Sequence, residues 1–155
     1  MGNKISLLGS LPVKTNPGYS LAVCLEQLGV VILRTQETLK PSFLKRMMGG
    51  ISKDHDRTVV AACSADLHAI SRQIGKIQQA AFNSTDIKNS TKDDQKGRAI
   101  YGYCERLITL LLDWKSQASE FESNEFGADK KLLEKSKRIL QIVENIEKSV
   151  LALVN

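Results

Sequence analysis

Residues 100–121 read IYGYCERLITLLLDWKSQASEF and decide the fold of the chain. Apolar side chains return there at alternating steps of four and three residues: Ile100, Cys104, Leu107, Leu111, Trp114, Ala118 and Phe121. This spacing places all of them on one stripe of an α-helix, and such a stripe has to pack against other helices. Trp114 is the largest group of the stripe, and its indole N–H needs a hydrogen-bond partner once it is buried.

The same four-and-three rhythm predicts three further helices, from about Gly18 to Leu39, from Ser52 to Phe82 and from Ala128 to the end of the chain. The first stripe is Leu21, Leu25, Leu28, Ile32, Thr35 and Leu39, broadened by Val31 and Leu33. The second is Val60, Cys63, Leu67, Ile70, Ile74, Ile77 and Ala81. The last is Leu132, Ser136, Ile139, Val143, Ile146, Val150 and Leu153.

The stretches between these helices predict their connections. Pro41 ends or kinks the first helix, residues 83–97 are almost wholly polar and predict a long exposed loop, and residues 124–127 form a short connection. Four amphipathic helices with three connections predict an all-α protein, a four-helix bundle with an antiparallel up-down-up-down arrangement. We expect a flexible leader over residues 1–17, with Pro17 and Gly18 before the first helix, and one helical-bundle domain over residues 18–155.

Composition agrees with a globular protein. The chain has 155 residues, of which 42% are apolar and 25% are charged. No apolar run approaches the roughly 20 residues that cross a bilayer, and the first residues lack the apolar core of a secretory signal. Three cysteines, an odd number, favour buried and reduced thiols; Cys63 and Cys104 lie on apolar stripes and Cys24 beside one. These features predict a cytoplasmic location.

The excess positive charge lies in the first third of the chain. Up to Lys53 there are seven basic residues and two acidic ones, whereas the rest carries fifteen of each sign. The chain opens Met-Gly-Asn-Lys-Ile-Ser, which matches the N-myristoylation pattern with Gly2 as the acceptor and Ser6 at the required position. One myristoyl chain holds a membrane only marginally, and the basic excess could supply the second signal. The alternatives are an ordinary disordered N-terminus and a bacterial chain that never meets the transferase.

A basic and apolar segment follows the first helix. It predicts a surface that contacts a membrane or a partner through Lys40, Phe43, Leu44, Lys45, Arg46, Met47 and Lys53. The alternative interpretation is that the same apolar residues close one end of the bundle.

Catalytic patterns are missing from the sequence. Glu-x-x-His pairs, which build carboxylate-bridged di-iron sites in bundles, do not occur, and the chain has only two histidines. The cysteines lack zinc-site spacing, and Gly-rich phosphate loops are absent. We therefore expect no enzymatic activity, no metal and no cofactor. The basic residues are sparse and the aromatic residues few, which does not favour nucleic acid as a partner.

His68 has a distinct environment on the second helix. It points away from Leu67 and Ile70, and Ser64, Ser71 and Gly75 are small neighbours on its side. An exposed histidine on a four-helix bundle resembles the histidine phosphotransfer domains, whose imidazole accepts a phosphoryl group from a response regulator. That family has Lys and Gly at the third and fourth positions after the histidine, where this chain has Ser71 and Arg72.

These observations predict a protein that works by binding rather than by catalysis. We expect an adaptor-like or effector-like interaction module whose helical faces engage a protein partner or a second copy of the chain. Its N-terminal third is expected to contact an anionic membrane surface. Phosphotransfer through His68 is the alternative function.

Overall fold

The computed structural model describes residues 16–40, 50–83 and 92–154. They form four helices, which we number α1, Pro17–Leu39; α2, Gly50–Asn83; α3, Lys92–Glu122; and α4, Ala128–Val154. The predicted all-α four-helix bundle is confirmed. None of these helices carries an apolar stretch with the length and hydropathy that a membrane span requires.

The helices form a ring in which each one packs against the next, and α4 closes the ring against α1. Contacts between the helices fix their directions. Gly18 lies beside Val154 and Gly29 lies beside Leu140, so residue numbers rise along α1 as they fall along α4. α3 and α4 are joined by only the five residues 123–127, and beyond this reversal Asp113 on α3 meets Lys135 on α4. Neighbouring helices therefore run antiparallel, as the short connections require.

The predicted stripes meet in one continuous core. The α2 stripe is buried along its whole length, from Val60 to Ala81. Phe121 and Leu153, the last members of the α3 and α4 stripes, are half-buried. Leu33 is an error of the sequence analysis, because it is 47% exposed instead of broadening the α1 stripe. Cys24, which we placed beside that stripe, is fully buried.

Both exceptions have one cause, which is the position of α1 in the ring. α1 contacts α3 across the centre of the bundle in addition to its neighbours α2 and α4, whereas the described parts of α2 and α4 do not contact each other. Its buried arc therefore extends toward Cys24 and away from Leu33. The periodicity of one helix gives the direction of its stripe but not the neighbours that set its width.

The ends of α1 and α2 differ slightly from the predictions. Pro17 is the first residue of α1 and not the last of a leader, and Asn16 caps the helix by accepting a 3.1 Å hydrogen bond from the Tyr19 backbone N–H. Proline suits the first helical position because its missing N–H is not needed there. α2 begins at Gly50, two residues before the predicted Ser52.

The predicted loop over residues 83–97 is shorter than expected. Asn83 still belongs to α2, and α3 already begins at Lys92. The residues Lys-Asp-Asp-Gln at 92–95 have no apolar periodicity, and the sequence alone therefore predicts them as loop. They are nevertheless acceptable in the first turn of a helix, where acidic residues complement the helix dipole.

The turn between α3 and α4 rests on two residues with positive φ. Asn124 has φ 60° and Gly127 has φ 74°, which are left-handed conformations that favour asparagine and glycine. The Glu125 N–H donates to the Glu120 carbonyl at 3.1 Å, which satisfies the end of α3. This compact turn leads directly into the antiparallel α4.

Candidate functional site

A groove of about 300 Å³ runs along the outside of the bundle between α2 and α3. Two of the α2 side chains that line it are small, Ser64 and Ser71. Ser64 and Ser71 lie on the same side of α2, two turns apart, and Gly75 follows one turn beyond Ser71 on that side. A Cβ atom added to Gly75 would meet no atom within 4 Å, so the space above this residue is open.

The floor and the α3 wall of the groove are apolar. Leu67, Leu111 and Trp114 are buried at its base, and Leu112 stands on its edge with 63% of its surface exposed. The Trp114 indole N–H donates a 3.0 Å hydrogen bond to the Ser136 hydroxyl on α4, which confirms the expected need for a partner. That bond holds the largest ring of the core in place beneath the groove.

The rim of the groove is basic. His68 and Arg72 on α2 and Lys115 on α3 line it, and all three are exposed. None of them forms an ion pair with another described residue. The nearest aspartates along the sequence are engaged elsewhere, because Asp66 meets Arg34 on α1 and Asp113 meets Lys135 on α4. The rim is therefore positive and suited to acidic groups.

Two aromatic rings mark the far end of the same face. Phe82 at the end of α2 and Tyr101 in α3 have ring centroids 6.0 Å apart, and both are exposed. Aromatic side chains that stay partly exposed are common anchors in protein interfaces. The α2–α3 face thus offers an apolar groove, a basic rim and an aromatic end.

Of the residues that the sequence singled out, His68 lies on this groove. Lys40 is exposed and caps the C-terminus of α1, and Lys53 lies in the first turn of α2. The other candidates for membrane or partner contact and for lipid attachment lie outside the described residues: Gly2, Ser6, Phe43, Leu44, Lys45, Arg46 and Met47.

The α3 side of the groove is not predicted by the sequence patterns above. Leu112 and Lys115 follow Ile108 at steps of four and three residues, on a stripe next to the core stripe of α3. The available signal was Leu112, an apolar residue of α3 that lies outside the core stripe. In the sequence, Arg72 stands out only because it departs from the phosphotransfer motif. The spacing of residues within α2 and α3 does not predict that Arg72 and Lys115 line the same groove.

Other kinds of chemistry find little support in the described residues. They contain no group of three or more His, Cys, Asp or Glu side chains that could hold a metal ion. Burial raises the pKa of the Cys24 thiol to about 12, and burial together with the charge of Cys24 raises that of Cys104 to about 12. These thiols are protonated near neutral pH and are poor nucleophiles.

Comparison with protein-family models, with curated proteins and with solved structures gives no match to this chain.

Proposed function

We propose that the protein is an interaction module whose α2–α3 groove binds an acidic amphipathic helix of a protein partner. The observation that carries the proposal is the combination of an apolar groove with a rim of three exposed cationic or titratable side chains, His68, Arg72 and Lys115. A helix fits such a site when its apolar face enters the groove and its flanking carboxylates meet the rim.

The two parts of the groove have different roles in this binding. Leu112 and the floor around Trp114 supply apolar contact, which accounts for most of the affinity. Arg72 and Lys115 select acidic partners and repel basic ones, because like charges placed together at an interface oppose association. The open space above Gly75 leaves room for a large side chain of the partner.

The test uses a designed helical peptide with leucines on one face and glutamates beside them. Trp114 is the only tryptophan of the chain and lies beneath the groove, so its fluorescence should change when the peptide binds. We expect Arg72→Glu to weaken binding by at least about tenfold, since it places a like charge at the rim. A peptide with lysines in place of the glutamates should not bind the wild-type chain.

A matched pair of variants tests the position of the site. Gly75→Phe places a ring one turn beyond Ser71, at the end of the groove, and should weaken peptide binding, whereas Gly102→Phe adds the same ring to α3 outside the groove and should leave binding unchanged. Neither added Cβ meets an atom within 4 Å, so both variants are expected to fold. Equal binding by the wild-type, Gly75→Phe and Arg72→Glu proteins would contradict the proposal.

Phosphotransfer through His68 is the second candidate, and one feature of the groove favours it. The exposed imidazole shares the groove with Arg72 and Lys115, whose side chains are suited to hold phosphoryl oxygens. In this reaction the P–O bond of an aspartyl phosphate breaks, the carboxylate leaves and a P–N bond to the imidazole forms, with loss of the imidazole proton.

Phosphoramidate can serve as the donor in a direct test of His68. Its P–N bond breaks with loss of ammonia as the new P–N bond forms. If the second candidate is right, ³¹P NMR should show an acid-labile phosphohistidine in the wild-type protein and none in His68→Gln. A wild-type spectrum without that signal would exclude phosphotransfer and leave the binding proposal untouched.

A further inference from the structure

The exposed large apolar residues of the described helices fall on two sides of the bundle. One group lies on the α2–α3 face: Phe82, Tyr101 and Leu112. The other group lies on the α1–α4 face: Tyr19, Val30, Leu33 and Leu151. In a ring ordered α1, α2, α3, α4, the outer side of α1 lies across the centre from α3, so the two groups lie on different sides of the bundle. These groups hold three and four exposed large apolar residues, whereas single scattered apolar residues are normal at a protein surface.

The α1–α4 face is dominated by a second stripe on α1. Its members recur at steps of four, three, four, three and four residues, opposite to the core stripe: Tyr19, Val23, Glu26, Val30, Leu33 and Glu37. Such a repeat is typical of a helix that packs against another helix. Val30 is 56% exposed, so no described part of the chain covers the centre of this stripe.

This face carries a cluster of carboxylates, whose charge is opposite to that of the groove rim. Glu26 in α1 and Glu144 and Glu147 in α4 lie close together. Partial burial raises the pKa of Glu147, and the negative charges of Glu26 and Glu144 raise it further. Cationic groups brought to this cluster would relieve the repulsion between its carboxylates.

The two faces also agree in length and in direction. The α1 stripe runs from Tyr19 to Glu37, and the α2 wall runs from Ser64 to Phe82; each spans 18 residue steps, or about 27 Å at the rise of an α-helix. Gly18 lies beside Ile100, so Tyr19 and the aromatic pair Phe82–Tyr101 occur at the same end of the bundle. A second copy lying alongside the first with its helices in the same direction would bring its Tyr19 to the level of this aromatic pair.

We propose that the occupant of the α2–α3 groove is the outer stripe of α1 from a second copy of this chain, with its glutamates facing the basic rim. This inference rests on the proposed function, because it uses the same groove and names its partner. The contact is heterologous, since it joins two different surfaces. Each added copy therefore leaves one free stripe and one free groove, and assembly continues into a ring or an open filament.

Two variants separate the halves of the contact. Arg72→Glu disables the groove and keeps the stripe, whereas Val30→Arg disables the stripe and keeps the groove. Both positions are exposed, and circular dichroism melts should show that the two variants remain folded. In analytical ultracentrifugation the wild-type chain should grow beyond its monomer mass of 17.2 kDa as its concentration rises. Each variant alone should stay monomeric.

The decisive measurement is a mixture of the two variants. The intact stripe of Arg72→Glu can enter the intact groove of Val30→Arg, and the assembly then stops because neither remaining surface works. We expect a single 1:1 species with twice the monomer mass. Thr109→Arg, an exposed substitution on α3 outside the groove, is the control and should assemble like the wild-type chain.

Other outcomes overturn the inference in recognisable ways. A wild-type chain that stays monomeric at millimolar concentration has no such contact. If it nevertheless binds the acidic peptide, the proposed function stands and only the self-association fails. A symmetric dimer that both variants still form, or that both lose without recovery on mixing, would place the interface elsewhere. A wild-type chain that neither self-associates nor binds the acidic peptide would overturn both proposals.

Discussion

Replacing Trp114 with alanine should lower the free energy of unfolding by about 3–5 kcal/mol, the range for removing a large aromatic side chain from a core. Trp114 is 1% exposed, and its indole N–H is bonded to Ser136 on the neighbouring helix. The change therefore creates a cavity and leaves a buried hydroxyl without its partner. Urea unfolding followed by far-ultraviolet circular dichroism measures the loss without needing the tryptophan signal.

Two milder variants separate the causes of this loss. Trp114→Phe keeps a ring in the core and removes the hydrogen bond, so we expect it to cost less than Trp114→Ala. Ser136→Ala leaves the indole N–H buried and unbonded, with an expected cost of about 1–3 kcal/mol. If Trp114→Ala cost no more than Ser136→Ala, the ring would contribute little through packing, contrary to its burial.

Trp114 also shows how far the sequence could predict this fold. The spacing in α3 placed it on the buried stripe, and the spacing in α4 placed Ser136 on another. Each position follows from the period of one helix. Their pairing does not, because it depends on how far the two antiparallel helices are shifted along each other. That shift is set by packing across the whole core.

In the candidate site, too, the sequence predicts features within one helix but not the contacts between helices. His68 and its small neighbours lie on one helix, and the sequence indicated that side of α2 as unusual. Leu112 and Lys115 belong to the opposite wall, and only the packing of α3 against α2 brings them to the groove. The second stripe on α1 could have been found from the sequence, since Tyr19, Val30 and Leu33 share its rhythm. The sequence analysis instead predicts that Leu33 broadens the core stripe of α1.

The native protein should react with thiol reagents at least about 1,000-fold more slowly than the unfolded chain. The pKa of Cys24 and Cys104 rises from 9.0 to about 12, because burial disfavours the thiolate. At pH 8 this shift alone reduces the thiolate fraction from about a tenth to about one in ten thousand, and the thiolate is the reacting form. Cys63 is fully buried, so reagents cannot reach it without opening of the bundle.

Labelling with a chromogenic disulfide at pH 8 measures this protection, with urea-unfolded protein as the reference for three reactive thiols. Thr109→Cys adds an exposed cysteine on α3 and should show one fast thiol while the native three stay protected. Prompt labelling of the wild-type protein would contradict the burial of the cysteines. In Trp114→Ala the labelling of Cys104 should accelerate, because the lost core packing lowers the free energy needed to open the bundle and expose this thiol.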